Sequence, residues 1–178
     1  MKLLGVSGSF RSGSLHTRLL DEGARMLPDG VELVRLDYRD VPLYDAEAGH
    51  PDAVGALKQA IADADGLVIA CPEYNHSIPG VLKNALDWAS RPAFDSVLVD
   101  KPVALFSASP GVVGGVRAQA HLREVLHGVL ARVYPARELS FGSARTLFED
   151  DRLVDPKARE RLERYLVGFA EWIGLAGR

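Results

Sequence analysis

Two stretches of this chain carry residue types whose spacing suits chemistry. The first, Ser7-Gly-Ser-Phe-Arg-Ser-Gly-Ser14, offers hydroxyls at Ser7, Ser9, Ser12 and Ser14, the Arg11 guanidinium, and glycines that free main-chain amides. It follows a short apolar run, Leu3-Leu-Gly-Val6, and leads into a helical stripe of Leu15, Leu19, Leu20 and Ala24, with Ser14 placed as N-cap. A helix N-terminus favours anions through its free N–H groups and its dipole. Several hydroxyls and an arginine at such a point suit a terminal phosphate monoester, which has three oxygens to satisfy. The plainer alternative is a serine-rich turn with a helix cap that binds nothing.

Other chemistries of this loop are disfavoured by what it lacks. Ser7 and Ser9 fall where a dinucleotide fingerprint needs glycines, and no Gly-Lys-Ser/Thr follows to make a Walker loop. Gly5-Val-Ser-Gly-Ser9 approaches a nucleophile elbow but lacks its closing glycine.

The second stretch is Pro72-Glu-Tyr-Asn-His-Ser-Ile-Pro79, a polar loop with one aromatic ring. Glu73, Tyr74 and Asn75 offer a planar heterocycle an aromatic neighbour with donors and acceptors at its edge, and Pro72 and Pro79 stiffen the loop. Taken singly, Glu73 also reads as a helix-end carboxylate and Tyr74 as packing. A phosphatase-like Cys-x5-Arg from Cys71 would need arginine where Ser77 stands, so Cys71 reads as a small buried apolar residue. The histidines lack metal-site spacing.

The elements that position these loops alternate. Gly66-Leu-Val-Ile-Ala-Cys71 is a strand buried on both faces, and Val81, Leu82, Ala85, Leu86 and Ala89 mark the helix after the second loop. Val31–Leu36 and Lys101–Ser107 read as further strands, and Arg137–Phe141 as a fifth. Val54, Leu57, Ile61 and Ala64 mark one helix, and Leu122, Val125, Leu126, Val129 and Leu130 another. Gly142–Val154 reads as loop, and Asp155-Pro156 as the start of a last helix with Leu162, Tyr165, Leu166, Phe169 and Ile173 inward. Five strand–helix alternations predict an α/β fold with a mainly parallel sheet and helices on both faces. Ligands of such sheets bind beyond the carboxyl ends of the strands, where both loops and a third, Ser109-Pro-Gly111, fall.

The bulk properties fit. The 178 residues suit one domain, 1–178, and 47% apolar with 25% charged residues is ordinary for a globular protein. A net charge of −3 gives no reason to expect nucleic acid or an anionic membrane as partner. No apolar run approaches a membrane span, and the apolar start is too short for a signal peptide. With a single cysteine there is no internal disulfide, and a cytoplasmic location is expected.

At these residues the chain resembles the NADPH-dependent FMN reductase family, the flavodoxin-like group that includes quinone, chromate and azo reductases. Gly8–Ser14 looks like the family's phosphate loop. Pro72–Asn75, continuing through Ser77–Arg91, looks like its isoalloxazine loop and following helix. Ser107–Gly111 with Gly114–Gln119 looks like its third loop. The resemblance implies a flavodoxin-like three-layer sandwich with a five-stranded parallel sheet of order 2-1-3-4-5. It implies FMN as cofactor, with its phosphate on Ser9, Arg11, Ser14 and His16 and its ring on Pro72, Glu73, Tyr74 and Asn75, with Ser109 close by. NADPH or NADH would be the co-substrate, a small molecule such as a quinone, azo compound, chromate or ferric species the acceptor, and a homodimer or homotetramer the assembly.

Two positions depart from the family pattern. His16 stands where asparagine is common, and His76 where tyrosine is frequent. His16 is expected to donate to the phosphate and, if protonated, to add charge. The activity implied is that of an FMN-dependent NAD(P)H oxidoreductase. The alternatives are a flavodoxin-type electron carrier, against which the small net charge argues, and a flavin-free domain on the same fold.

Overall fold

The computed structural model describes residues 1–49 and 51–176. In chain order the elements are β1 (Lys2–Ser7), α1 (Leu15–Ala24), β2 (Glu32–Arg35), α2 (Asp52–Ala62), β3 (Gly66–Ala70), α3 (Gly80–Ala89), β4 (Pro102–Ala108), α4 (Val116–Gly128), β5 (Arg132–Val133), β6 (Leu139–Phe141), β7 (Phe148–Glu149), β8 (Arg152–Leu153) and α5 (Pro156–Ala176). The main sheet is parallel throughout, ordered β2-β1-β3-β4-β5, with β6 also pairing β4. This is the flavodoxin-like order, and the order reverses beside β1.

Alternation along the strands sorts the side chains into two cores. Leu4, Val6, Leu67, Ile69 and Leu105 face α2, α3 and α4, whose Leu57, Ile61, Leu82, Leu86 and Leu122 meet them. Leu3, Val68, Ala104, Phe106 and Phe141 face α1 and α5, through Leu19, Leu20, Leu162, Leu166 and Phe169. Every residue of β3 is buried, as its unbroken apolar run requires. Ser14 caps α1, accepting from Thr17 N at 3.4 Å, and Asp155 caps α5, its Oδ1 accepting from Ala158 N at 2.7 Å.

Two stretches differ from expectation. The fifth strand is in two pieces: Pro102 and Val103 pair with Arg132 and Val133, while Phe106 to Ala108 pair with Leu139 to Phe141. Pro135, in the gap, has no N–H to give a ladder, which is tolerable only at an edge. The Tyr165 hydroxyl from α5 fills the gap, accepting from Leu105 N at 3.2 Å and donating to Leu105 O at 2.9 Å. The second stretch, Gly142–Val154, is ordered: a 3-10 turn over Ala144–Leu147 leads into an antiparallel hairpin of β7 and β8.

Candidate cofactor site

The loops after β1, β3 and β4 meet beyond the carboxyl ends of their strands. They line a cavity of about 390 Å³, within the ordinary range for a small-molecule site. Ser9, Arg11, Ser14, His16, Pro72, Glu73, Tyr74 and Ser109 all line it. Asn75 does not. With His76 it forms the centre of a tight two-residue turn: Tyr74 and Ser77 exchange N–H···O bonds of 3.0 Å, and both central residues have positive φ, +49° and +66°. Such a turn favours asparagine, and tolerates histidine better than most residues.

The first loop reaches the second through a glycine. Gly8 N donates to Ala70 O at 2.9 Å, and a Cβ on Gly8 would stand 2.7 Å from Pro72 Cδ, so no larger residue fits. Tyr74 crosses between the loops and donates its hydroxyl to Ser9 Oγ at 3.0 Å, leaving its ring half-exposed. Within the first loop Ser14 N donates to Arg11 O at 3.1 Å. In the first turn of α1, Thr17 N and Arg18 N bond back to Ser14. The main-chain N–H groups of Leu15 and His16 come before these and have no intrahelical acceptor. Arg11 is exposed and has no carboxylate partner among the described residues. A guanidinium, two helix-end N–H groups and the Ser9 and Ser14 hydroxyls are a donor set for an oxyanion, so the residues present fit the FMN phosphate.

His16 does something other than expected. Its ring is buried, and Nε2 accepts the Ala108 N–H at 3.2 Å, which puts the ring proton on Nδ1. Burial brings its pKa down to about 4, so the ring is neutral at physiological pH. The added charge expected of this ring is therefore absent: the neutral ring pins the end of β4 to the first loop, and the main-chain N–H of His16 remains for an anion.

Glu73 is also committed. Its carboxylate accepts from Arg117 N and Arg117 Nη1, both at 3.1 Å, at the start of α4. These bonds hold its pKa below the usual carboxylate value against the opposing effect of burial. Its main chain, with that of Pro72, remains for a ring edge. Ser109 is bound within its own loop, donating to Gly111 O at 2.8 Å and accepting from Gly114 N at 3.1 Å. Cys71 is fully buried, and burial pushes its thiol up to about 12, which removes it from redox or nucleophilic work.

The cavity has members that the sequence did not announce. Arg18, one turn into α1, could have been found from the helix period. Arg145, Phe148 and Asp150 come from the 3-10 turn and hairpin, and no local pattern connects them to the first loop.

Residues 1–146 match the family profile of NADPH-dependent FMN reductase. An NAD(P)H-dependent FMN reductase of Pseudomonas aeruginosa is 41% identical, over 97% of this chain and 95% of its own length. A quinone reductase of Escherichia coli K12 is 37% identical, over 97% and 95%. Among solved structures, the flavoenzyme NAD(P)H:(acceptor) oxidoreductase FerB of Paracoccus denitrificans superposes with a TM-score of 0.88 at 32% identity, covering 98% of this chain and 97% of its own. The chain belongs to the NADPH-dependent FMN reductase family. It is a flavin-dependent oxidoreductase that uses FMN and a reduced nicotinamide.

Proposed function

We propose that the cavity holds FMN with its phosphate on the first loop and its ring beside Pro72–Tyr74 and Ser109, and that the electron acceptor is a quinone. The observation that carries this reading is Arg11, a guanidinium with no carboxylate partner among the described residues, just before the N-cap of α1 and in the same cavity as the Tyr74 loop. When bound, FMN supplies hydride acceptance from the nicotinamide and delivery onward to the acceptor.

The chain's own residues bind and orient. Arg11, the Leu15 and His16 N–H groups and the hydroxyls of Ser9 and Ser14 neutralise the phosphate. Tyr74, anchored on Ser9, fixes the distance between the phosphate end and the ring end. With no N–H on Pro72 and that of Tyr74 given to Ser77 O, the Glu73 main-chain N–H is the donor this stiffened segment keeps for a ring edge where negative charge grows on reduction. Asn75 supports the site by turning the chain. A planar acceptor suits the open side next to the half-exposed Tyr74 ring, and relatives named as quinone and 2-hydroxy-1,4-benzoquinone reductases favour that class.

The same reading takes 1–178 as one domain, since both cores lie on a single sheet. It takes the assembly as a homodimer or homotetramer, supported by exposed Phe94, Val112 and Val113. It places the enzyme in the cytoplasm, where the reduced nicotinamides are. Among the described residues no helix is long and apolar enough to cross a membrane.

The test is FMN titration of the apoprotein together with quinone-coupled NADPH and NADH oxidation. Arg11→Ala raises the FMN Kd about ten- to a hundredfold, the worth of a charged hydrogen bond. An unchanged Kd would remove the phosphate assignment. Absence of nicotinamide oxidation with any quinone would remove the acceptor assignment.

A further inference from the structure

Part of the cavity wall is built from the stretch that reads as plain loop in the sequence, and it brings into the site a second guanidinium with no carboxylate partner among the described residues. The geometry points to Arg145 as a further anion-binding residue, which makes the enzyme select the phosphorylated flavin over the unphosphorylated one. This rests on the reading that the FMN phosphate lies on the first loop.

Charge is the first argument. A phosphate monoester carries close to two negative charges, and Arg11 with one helix N-terminus falls short of that. The other cations of the cavity are Arg18 and Arg145. Arg18 is already used: its Nε lies 2.9 Å from Asp151 Oδ1, and its Nη1 donates to Asp150 O at 3.0 Å. Arg145 is exposed and has no carboxylate partner among the described residues. Of the carboxylates lining the cavity, Glu73 is held by Arg117, while Asp150 opposes an anion.

Placement is the second argument. The backbone that carries Arg145 is fastened on both sides. Before it, Ser143 N donates to Gly111 O at 2.8 Å and Ala144 N to Ser109 O at 2.9 Å, tying the 3-10 turn to the third loop. After it, Arg152 Nε lies 2.7 Å from Oε1 of Glu22, a carboxylate buried to 1% exposure in α1. Arg159 of α5 lies 3.1 Å from Oε2 of the same carboxylate, and Arg25 also contacts it. Ala144 and Leu153, at either end of the segment, are buried. A surface loop with no task in the site has no need of this fastening. Here it holds one arginine in the lining of the same cavity as Ser9, Arg11 and Ser14. Glu22 is then a positioning residue, acting through the hairpin.

The experiment titrates the full-length apoprotein with FMN and, separately, with riboflavin, reading the quenching of flavin fluorescence. Arg145→Ala is expected to weaken FMN about tenfold and riboflavin less than about twofold, the difference being one charged hydrogen bond. Arg145→Lys should recover part of the loss, and Asp150→Asn should tighten FMN alone. Arg145 is exposed, so the melting temperature of the Ala variant should match that of the parent. Equal weakening of FMN and riboflavin, or no weakening of either, overturns the inference. Arg11→Ala separates it from its premise. If Arg11→Ala discriminates FMN from riboflavin while Arg145→Ala does not, only the Arg145 assignment falls. If Arg11→Ala does not discriminate, the first-loop placement of the phosphate falls and takes the Arg145 assignment with it.

Discussion

The two sides of the cavity are built by different means. On one side lie loops at the ends of parallel strands, where composition and chain position together make the donor set: Ser9, Arg11, Ser14 and the start of α1 are contiguous in sequence. On the other lies the Ala144–Leu153 segment, whose residues gain meaning only through partners far along the chain, Ser109, Glu22 and Arg159. Each side has a buried polar residue of α1 as its fastener, and the two fasteners work oppositely. His16 meets no counter-charge and is held neutral, bonded to main chain. Glu22 meets three guanidiniums. A site can thus be closed on one side by hydrogen bonds within the sheet end and on the other by ion pairs from one helix to a hairpin and a second helix.

Acid should weaken the first side. The unfolded chain protonates His16 near its ordinary 6.5, whereas the folded chain does so only at about 4. This stabilisation is complete above pH 6.5 and is lost as pH falls from 6.5 to about 4, worth on the order of 3 kcal/mol. Urea midpoints at pH 7 and pH 4.5, compared between the parent and His16→Asn, check it. The contrast between the two fasteners collapses if both proteins lose the same stability across that window.

Glu22→Gln should loosen the opposite side. Breaking a fully buried ion pair typically costs about 3–5 kcal/mol. The arginines here keep 41–60% of their side-chain surface in water, which screens them, so about 2 kcal/mol is expected. Urea unfolding reads the loss, and limited trypsin digestion should find faster cleavage after Arg152. Unchanged cleavage would show that the hairpin does not depend on Glu22.

The smallest effect belongs to a residue outside both sides. Tyr165→Phe leaves the Leu105 N–H and C=O unpaired in the gap of the edge strand, at a cost of about 1 kcal/mol. FMN affinity should not change, because Tyr165 does not line the cofactor cavity. A change in affinity would mean that the sheet edge and the site are coupled, and that the two sides of the cavity do not act alone.

The parallel sheet, most of each helix face and the three loops were legible in the sequence because each depends on periodicity or on residues within a few positions of one another; the strand order came from the family resemblance, and Leu130, read on the α4 face, is exposed beyond the helix end. Ser14 as cap, Cys71 as buried filler and the inward row of α5 came out as read. Three readings needed the fold. The fifth strand divides at Pro135 because an edge tolerates a missing donor and a tyrosine from α5 can supply the pairing. The His16 ring is neutral because it is buried and Ala108, far along the chain, offers its N–H to it. Asn75 turned from a lining residue into a turn residue because the turn requires positive φ at its centre.

What the sequence determined by itself is the set of groups that can meet a phosphate and a flat ring, since short-range chain geometry delivers them at the ends of strands. The tertiary structure decided which of those groups stay free. Burial and long-range pairing commit the His16 ring and the Glu73 carboxylate to the protein, leave Arg11 open, and bring Arg145 across from a stretch that has no pattern of its own. Hydrogen-bond capacity is finite, and how much of it remains for a ligand is known only when every internal partner has been placed.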